Sequence, residues 1–171
     1  MLQPFQFKEF KVYQDKTAMK IGTDGVLLGA WCNLENYPDS ILDIGSGTGV
    51  ISLMIAQRCD AMTIDAVEID EKAYEQTVEN FENSEWGDRL YCYHSSFQEF
   101  ADEIAAEEEF YDVIVSNPPF YRDEFETDNV SRNRARFTSS LSFETLLSGV
   151  AKILSKKGVF SLIIPFKEEQ E

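Results

Sequence analysis

The chain of 171 residues is 43% hydrophobic and 27% charged, which fits one ordinary folded domain and excludes a disordered tail. A net charge of −16 excludes broad, nonspecific binding of nucleic acid, because phosphate contacts need a basic footprint, yet it leaves room for a local basic patch on an acidic body. No apolar run approaches the roughly 20 residues that cross a bilayer, and the first ten residues lack the apolar core of a signal peptide. Cys32, Cys59 and Cys92 are scattered, with no C-x-x-C pair, so the expectation is a reducing cytoplasm, no disulfide framework, no metal and no membrane.

In chain order, short β-rich runs alternate with helical stretches. Ser40 to Ile44 reads as a strand that ends in glycines, and Val50 to Arg58 has apolar residues at helical spacing. Met62 to Glu68 reads as a second strand, and Glu71 to Phe81 as a helix for which Asp70 is a plausible cap. Leu90 to His94 is a third strand, with His94 expected as a strand residue rather than a catalyst. Phe97 to Ala106 is a helix, and Tyr111 to Val115 is a fourth strand, buried on both faces. Six acids between Glu99 and Glu109 carry no compensating base and read as a solvated helix face, so nucleic acid should approach from elsewhere. Ser142 to Leu154 is the next helix, ended by Lys156, Lys157 and Gly158, and Val159 to Ile164 is a fifth strand. Such alternation predicts an open, mainly parallel α/β sheet, whose ligands bind at the carboxyl ends of the strands.

Function is therefore expected just after each strand. The first is followed by Asp43-x-Gly45-x-Gly47-x-Gly49. Glycines let a backbone turn tightly and pass close to a ligand. The dinucleotide fingerprint G-x-G-x-x-G would need a glycine where Val50 stands. An acid at Asp43 suits a cationic ligand group and repels pyrophosphate; the plain alternative is a ligand-free glycine-rich connection. Glu68, after the second strand, can accept both hydroxyls of a ribose through its two oxygens, whereas Asp70 suits a helix cap. Ser96 and Phe97, after the third, could hold the edge and face of a purine, although serine before a helix is also ordinary capping.

The fourth strand is followed by Asn117-Pro118-Pro119-Phe120-Tyr121. Prolines stop the ladder and fix the backbone, so that the Asn117 side-chain carbonyl and the Pro118 carbonyl can aim at one place beside an aromatic face. That is a socket for a planar NH2 group. A mere strand-ending turn would not require asparagine and an aromatic together.

These strings, in this order and spacing, resemble the class I S-adenosylmethionine-dependent methyltransferases of the amino-methylating type. The N-terminal run from Met19 to Trp31 and the trio Arg132, Arg134 and Arg136 narrow the likeness to the bacterial tRNA adenine-N6 methyltransferases, which modify the adenine beside the anticodon of a valine tRNA. The resemblance implies a Rossmann-like class I methyltransferase sheet with helices on both faces. It implies S-adenosylmethionine as cofactor: the Gly45–Gly49 loop at the methionine portion, Asp43 near its ammonium, Glu68 on the ribose. Ser96 falls where the family tends to carry an aspartate for the adenine amino group. Thr23 and Asp24 lie in the segment that closes over the methionine end; Asp24 is equally readable as the cap of a short helix from Gly25 to Trp31. One domain is expected, with residues 1–35 as the closing segment and 36–171 as the cofactor-binding core. The family adds a final helix and a β-hairpin beyond the fifth strand, so a shortened C-terminus is expected.

The expected partner is the anticodon loop of a tRNA, taken up by a monomer. Asn117, Pro118 and Phe120 are the expected catalytic group. Phe120 would stack on the extruded base, with Tyr121 as its alternate. Arg132, Arg134 and Arg136 would contact phosphate, or would pair with Asp123, Glu124, Glu126 and Asp128. Three other readings stay open: a release-factor glutamine methyltransferase, a ribosomal RNA guanine-N2 methyltransferase, and a fragment that binds cofactor without turnover.

Overall fold

The computed structural model describes residues 3–118 and 141–164. A two-residue hairpin comes first, β1 (Phe5–Gln6) against β2 (Lys11–Val12), followed by α1 (Thr23–Trp31). Then come β3 (Ser40–Ile44), α2 (Val50–Arg58), β4 (Thr63–Glu68), α3 (Glu71–Glu82), β5 (Leu90–His94), α4 (Phe97–Ala106) and β6 (Tyr111–Ser116). The last described elements are α5 (Phe143–Ile153) and β7 (Leu154–Leu162).

The five long strands form one parallel sheet in the order β5-β4-β3-β6-β7. The order reverses between β3 and β6, so the crevice for a ligand lies beyond the ends of those two strands. Alternation along each strand separates two cores. Ile41, Ile64, Ala66, Val113 and Val115 pack with α1 and α2, while Leu42, Ile44, Val67 and Ile114 pack with α4 and α5. The helices thus cover both faces of a Rossmann-like sheet. Among the described residues no helix is long and apolar enough to cross a membrane.

Two expectations about helix ends are corrected. Asp24 does not cap α1: the cap position is Gly22, and Asp24 sits in the first turn, where a negative charge meets the helix's positive end. The Lys156-Lys157-Gly158 run does not end a helix either. The helix stops at Ile153, Leu154 turns extended and pairs with Tyr111, and the ladder resumes at Val159 opposite Val113. Residues 155–158 therefore face the single residue Asp112 across a register shift within β7.

Candidate functional site

The two halves of the crevice are brought together by α1. Its glycines at positions 25 and 29 face α2: a Cβ on Gly29 would lie 2.8 Å from the Met54 sulfur, so only glycine permits this approach. A Cβ on Gly25 would lie 3.6 Å from Asn117 Nδ2 and 3.7 Å from Val50 Cγ1. The beginning of α1, the first residue of α2 and the asparagine that follows β6 thus meet at one point. Arg58, in the last turn of α2, holds the other end of α1 by donating to the Gly29 and Cys32 carbonyls at 2.8 and 3.0 Å.

The glycine loop follows β3. Gly45, Gly47 and Gly49 have φ of +75°, +59° and +74°, all in the left-handed region that glycine adopts without strain. Around Gly45 and Gly47 an added Cβ would meet no heavy atom within 4 Å, which leaves the loop open for close approach. At Gly49 the same atom would strike the Phe81 ring at 2.7 Å. The loop is fastened to β4 by the Gly45 N–H, which donates to the Val67 carbonyl at 2.9 Å.

Two carboxylates lie beneath it. Asp43 is fully buried; its Oδ2 accepts from Ser52 Oγ at 2.7 Å and its Oδ1 has no hydrogen-bond partner among the described residues. Burial pushes its carboxyl up to about 6, against the pull of the Ser52 bonds and with a further push from the nearby Glu68 charge. Glu68 accepts the Gly47 N–H on Oε2 and the Asp70 N–H on Oε1, each at 2.9 Å. Cys92 lies 3.9 Å from Ser46, and burial pushes its thiol up to about 12, which disfavours the thiolate.

The serine and phenylalanine after β5 have local duties. Ser96 caps α4, accepting from the Glu99 N–H and donating to its carboxylate at 2.8 Å. Phe97 is buried, with its ring against α5, where a Cβ on Gly149 would fall 2.4 Å from it. Asp70 caps α3 through the Ala73 N–H. His94 ends β5 with its ring stacked on Tyr74 at 5.2 Å. Thr23 opens α1 at the surface, and Pro118 is half-buried next to Asn117. Phe120, Tyr121, Arg132, Arg134 and Arg136 lie outside the described residues.

Sequence reasoning missed a set of polar residues on α3. Ala73, Gln76, Thr77, Asn80 and Phe81 form its buried stripe, at i, i+3, i+4, i+7 and i+8. Three of those five positions are polar where an amphipathic helix should be apolar, and that violation was the available signal. Ser52, the partner of Asp43, was missed in the same way inside the apolar run of α2.

The methyltransferase small domain family matches residues 23–141. The chain is 60% identical over 169 residues to the tRNA1(Val) (adenine(37)-N6)-methyltransferase of Christiangramia forsetii and 56% identical over 167 residues to that of Flavobacterium psychrophilum. These alignments cover 99% and 98% of this chain and 70% of each relative. Among solved structures, the SAM-dependent methyltransferase from Agrobacterium tumefaciens is similar at a TM-score of 0.67 and 20% identity, over 95% of this chain and 53% of that one, a likeness of fold. Identity at the level of the two relatives, carried across almost the whole sequence, decides the matter: the chain belongs to the methyltransferase small domain family, among the tRNA1(Val) (adenine(37)-N6)-methyltransferases.

Proposed function

We propose that the chain transfers a methyl group from S-adenosylmethionine to N6 of adenine 37 in a valine tRNA, in a reducing cytoplasm. The observation that carries the reading is the meeting of Asn117 with the starts of α1 and α2, beside an open glycine loop with two carboxylates under it. The activity named for relatives at 60% and 56% identity supports it.

The residues fit such a cofactor. An orphaned buried oxygen on Asp43 suits an ammonium, and Glu68 retains acceptor capacity on both oxygens for a ribose diol. The Gly45 and Gly47 backbones can be approached closely. Ser96, already a cap, has at most a shared lone pair for an adenine amino group. Thr23 opens the segment that would close over the methionine end. When bound, the cofactor supplies a sulfonium methyl already activated for transfer.

The protein's task is then to aim a poor nucleophile, since an adenine amino lone pair is delocalised into the ring. Asn117 Oδ1 and the Pro118 carbonyl accept its two hydrogens, which favours a pyramidal nitrogen and stabilises charge that develops only in the transition state. Holding nitrogen and methyl in line contributes up to about 7–11 kcal/mol in good cases. Phe120, or Tyr121, stacks on the base, worth roughly 1–3 kcal/mol. Arg132, Arg134 and Arg136 contact the phosphates. An anticodon loop is already single-stranded, so presenting the base costs less than from a duplex. Residues 1–35 form the closing segment and 36–171 the core.

The test is incubation with labelled S-adenosylmethionine and either unmodified tRNA or release factor, followed by mass spectrometry of nucleosides and peptides. N6-methyladenosine at one tRNA position is the expected product. Label in a glutamine peptide or in guanine overturns the substrate, and cofactor binding with no transfer to any acceptor overturns the activity of this chain.

A further inference from the structure

The buried polar stripe of α3 touches two things at once. Thr77 Oγ1 donates to the Gly47 carbonyl at 3.0 Å and lies 3.1 Å from Ser46 Oγ, which must then donate to it. Asn80 Nδ2 donates to the Thr48 carbonyl at 2.8 Å. On its other side the same amide pairs with both backbone groups of Tyr13: Nδ2 donates to its carbonyl and Oδ1 accepts its N–H, each at 2.8 Å. One turn earlier, Gln76 Oε1 accepts the Lys16 N–H at 3.0 Å. Thr77 and Gln76 are fully buried and Asn80 is 1% exposed, so these bonds are made away from competing water.

The geometry has a directional consequence. In a trans peptide the C=O and the next N–H point opposite ways. With the Gly47 carbonyl held by Thr77, the Thr48 N–H is turned away from α3. With the Thr48 carbonyl held by Asn80, the Gly49 N–H is turned back to the Ser46 carbonyl, to which it donates at 2.8 Å. Two consecutive peptide planes of the glycine loop are therefore set by α3, and the loop carries no side chain at position 47 to set them itself.

We propose that Thr77 and Asn80 are positioning residues that fix the peptide planes of the glycine loop for the cofactor, and that Asn80 with Gln76 locks residues 13–16 to the same face of α3, so that ligand occupancy is transmitted to the N-terminal segment. The inference rests on the cofactor reading above. Backbone dipoles at the loop are useful only if preorganised, and a loop with three positive-φ glycines has the largest entropy to lose. The clamp removes part of that freedom before the ligand arrives, and the ligand removes the remainder in the loop and the N-terminal segment together. Because Asn80 holds Tyr13 and Thr48 with one amide, neither segment can shift without the other.

The test uses the 171-residue chain with S-adenosylhomocysteine as probe. Thr77→Val keeps the shape and removes the hydroxyl, and Thr77→Ser restores it. Calorimetry should give at least a tenfold weaker dissociation constant for T77V and one within about twofold of wild type for T77S, with circular dichroism confirming that both fold. In wild type the probe should slow deuterium exchange across residues 13–21, and Asn80→Ala should lose that protection while still binding the probe when saturated. T77V binding as tightly as wild type, or protection of 13–21 persisting in N80A, overturns the clamp alone. A wild-type chain that binds no S-adenosylhomocysteine overturns the cofactor reading and the clamp with it.

Discussion

Glu68 reaches back across the end of its strand to accept the Gly47 N–H at 2.9 Å, so the acid that ends β4 and the glycine loop after β3 are joined directly. Its other oxygen holds the Asp70 N–H at the start of α3. One carboxylate thereby supports the loop and the first turn of the helix whose buried side grips the same loop through Thr77 and Asn80. Loop, strand end and helix form a closed ring of hydrogen bonds beside the crevice at the reversal of strand order.

Replacing Glu68 with glutamine tests that ring. The amide offers one acceptor for two N–H donors, so either Gly47 or Asp70 faces an NH2 group. The loss should be about 1–3 kcal/mol of folding stability, read by urea denaturation. Affinity for S-adenosylhomocysteine should fall at least tenfold, since a ribose diol loses a charged acceptor. Unchanged affinity in E68Q would remove Glu68 from the binding role.

Asp43 should make stability and ligand binding oppose each other. Its native carboxyl, pushed up to about 6, holds a proton that the unfolded chain releases near 3.8. The native state thus binds more protons between those values, and this group's contribution falls as pH rises through the window. Above it the buried charge costs on the order of 3 kcal/mol. Asp43→Asn should therefore stabilise the ligand-free protein at pH 7 and remove that part of the slope between about pH 4 and 6. It should also weaken binding of a cationic ligand group, and flatten the rise in affinity that wild type shows as Asp43 ionises. Parallel denaturation and calorimetry series over pH measure both.

The strand frame was legible because each strand is short, apolar and punctuated: Ser40–Ile44 and Leu90–His94 have the bounds expected from the residues alone. The glycine string announced its loop because positive φ is cheap only for glycine. Other features were hidden for physical reasons. Lys156, Lys157 and Gly158 have the chemistry of a helix end, and only the pairing of Leu154 with Tyr111 shows that they belong to an irregular strand. The short hairpin at Phe5–Val12 owes its existence to partners far away, since Phe10 packs edge-on against Trp86. Phe97 packs its ring edge against Gly149, a neighbour that no local pattern announces. In each case a tertiary contact overrode a local signal.

Arg89 illustrates why a basic residue in this acidic chain need not concern RNA. Its guanidinium donates to the carbonyls of Ala56, Cys59 and Ala61 at 2.7, 2.9 and 2.8 Å, closing the carboxyl end of α2 and the turn after it. Arg89→Ala leaves three backbone acceptors short of a partner and should cost about 2–4 kcal/mol. Lysine lacks the planar fork and should recover less than half of that loss. Urea midpoints of the two variants decide it, and tRNA affinity should be unaffected where both remain folded.

Asn117 separates binding from transfer. It stands at the tip of β6, where Ser116 is anchored by its hydroxyl to the Ile44 carbonyl at 2.9 Å, so the asparagine is carried by a rigid strand end rather than by a loose loop. Its Nδ2 lies toward Gly25, which has room for a methyl at 3.6 Å, so Gly25→Ala should fold and retain cofactor affinity. Asn117→Ala removes an acceptor whose interaction with the substrate nitrogen strengthens only as charge develops. Transfer to tRNA should fall by at least a hundredfold, comparable to losing one oxyanion-hole donor. S-adenosylhomocysteine binding should stay within about twofold, because the glycine loop, Asp43 and Glu68 are untouched. Single-turnover kinetics alongside calorimetry distinguish the two effects: equal losses in both would make Asn117 a structural support of the cofactor site, whereas loss of transfer alone assigns it to the nitrogen.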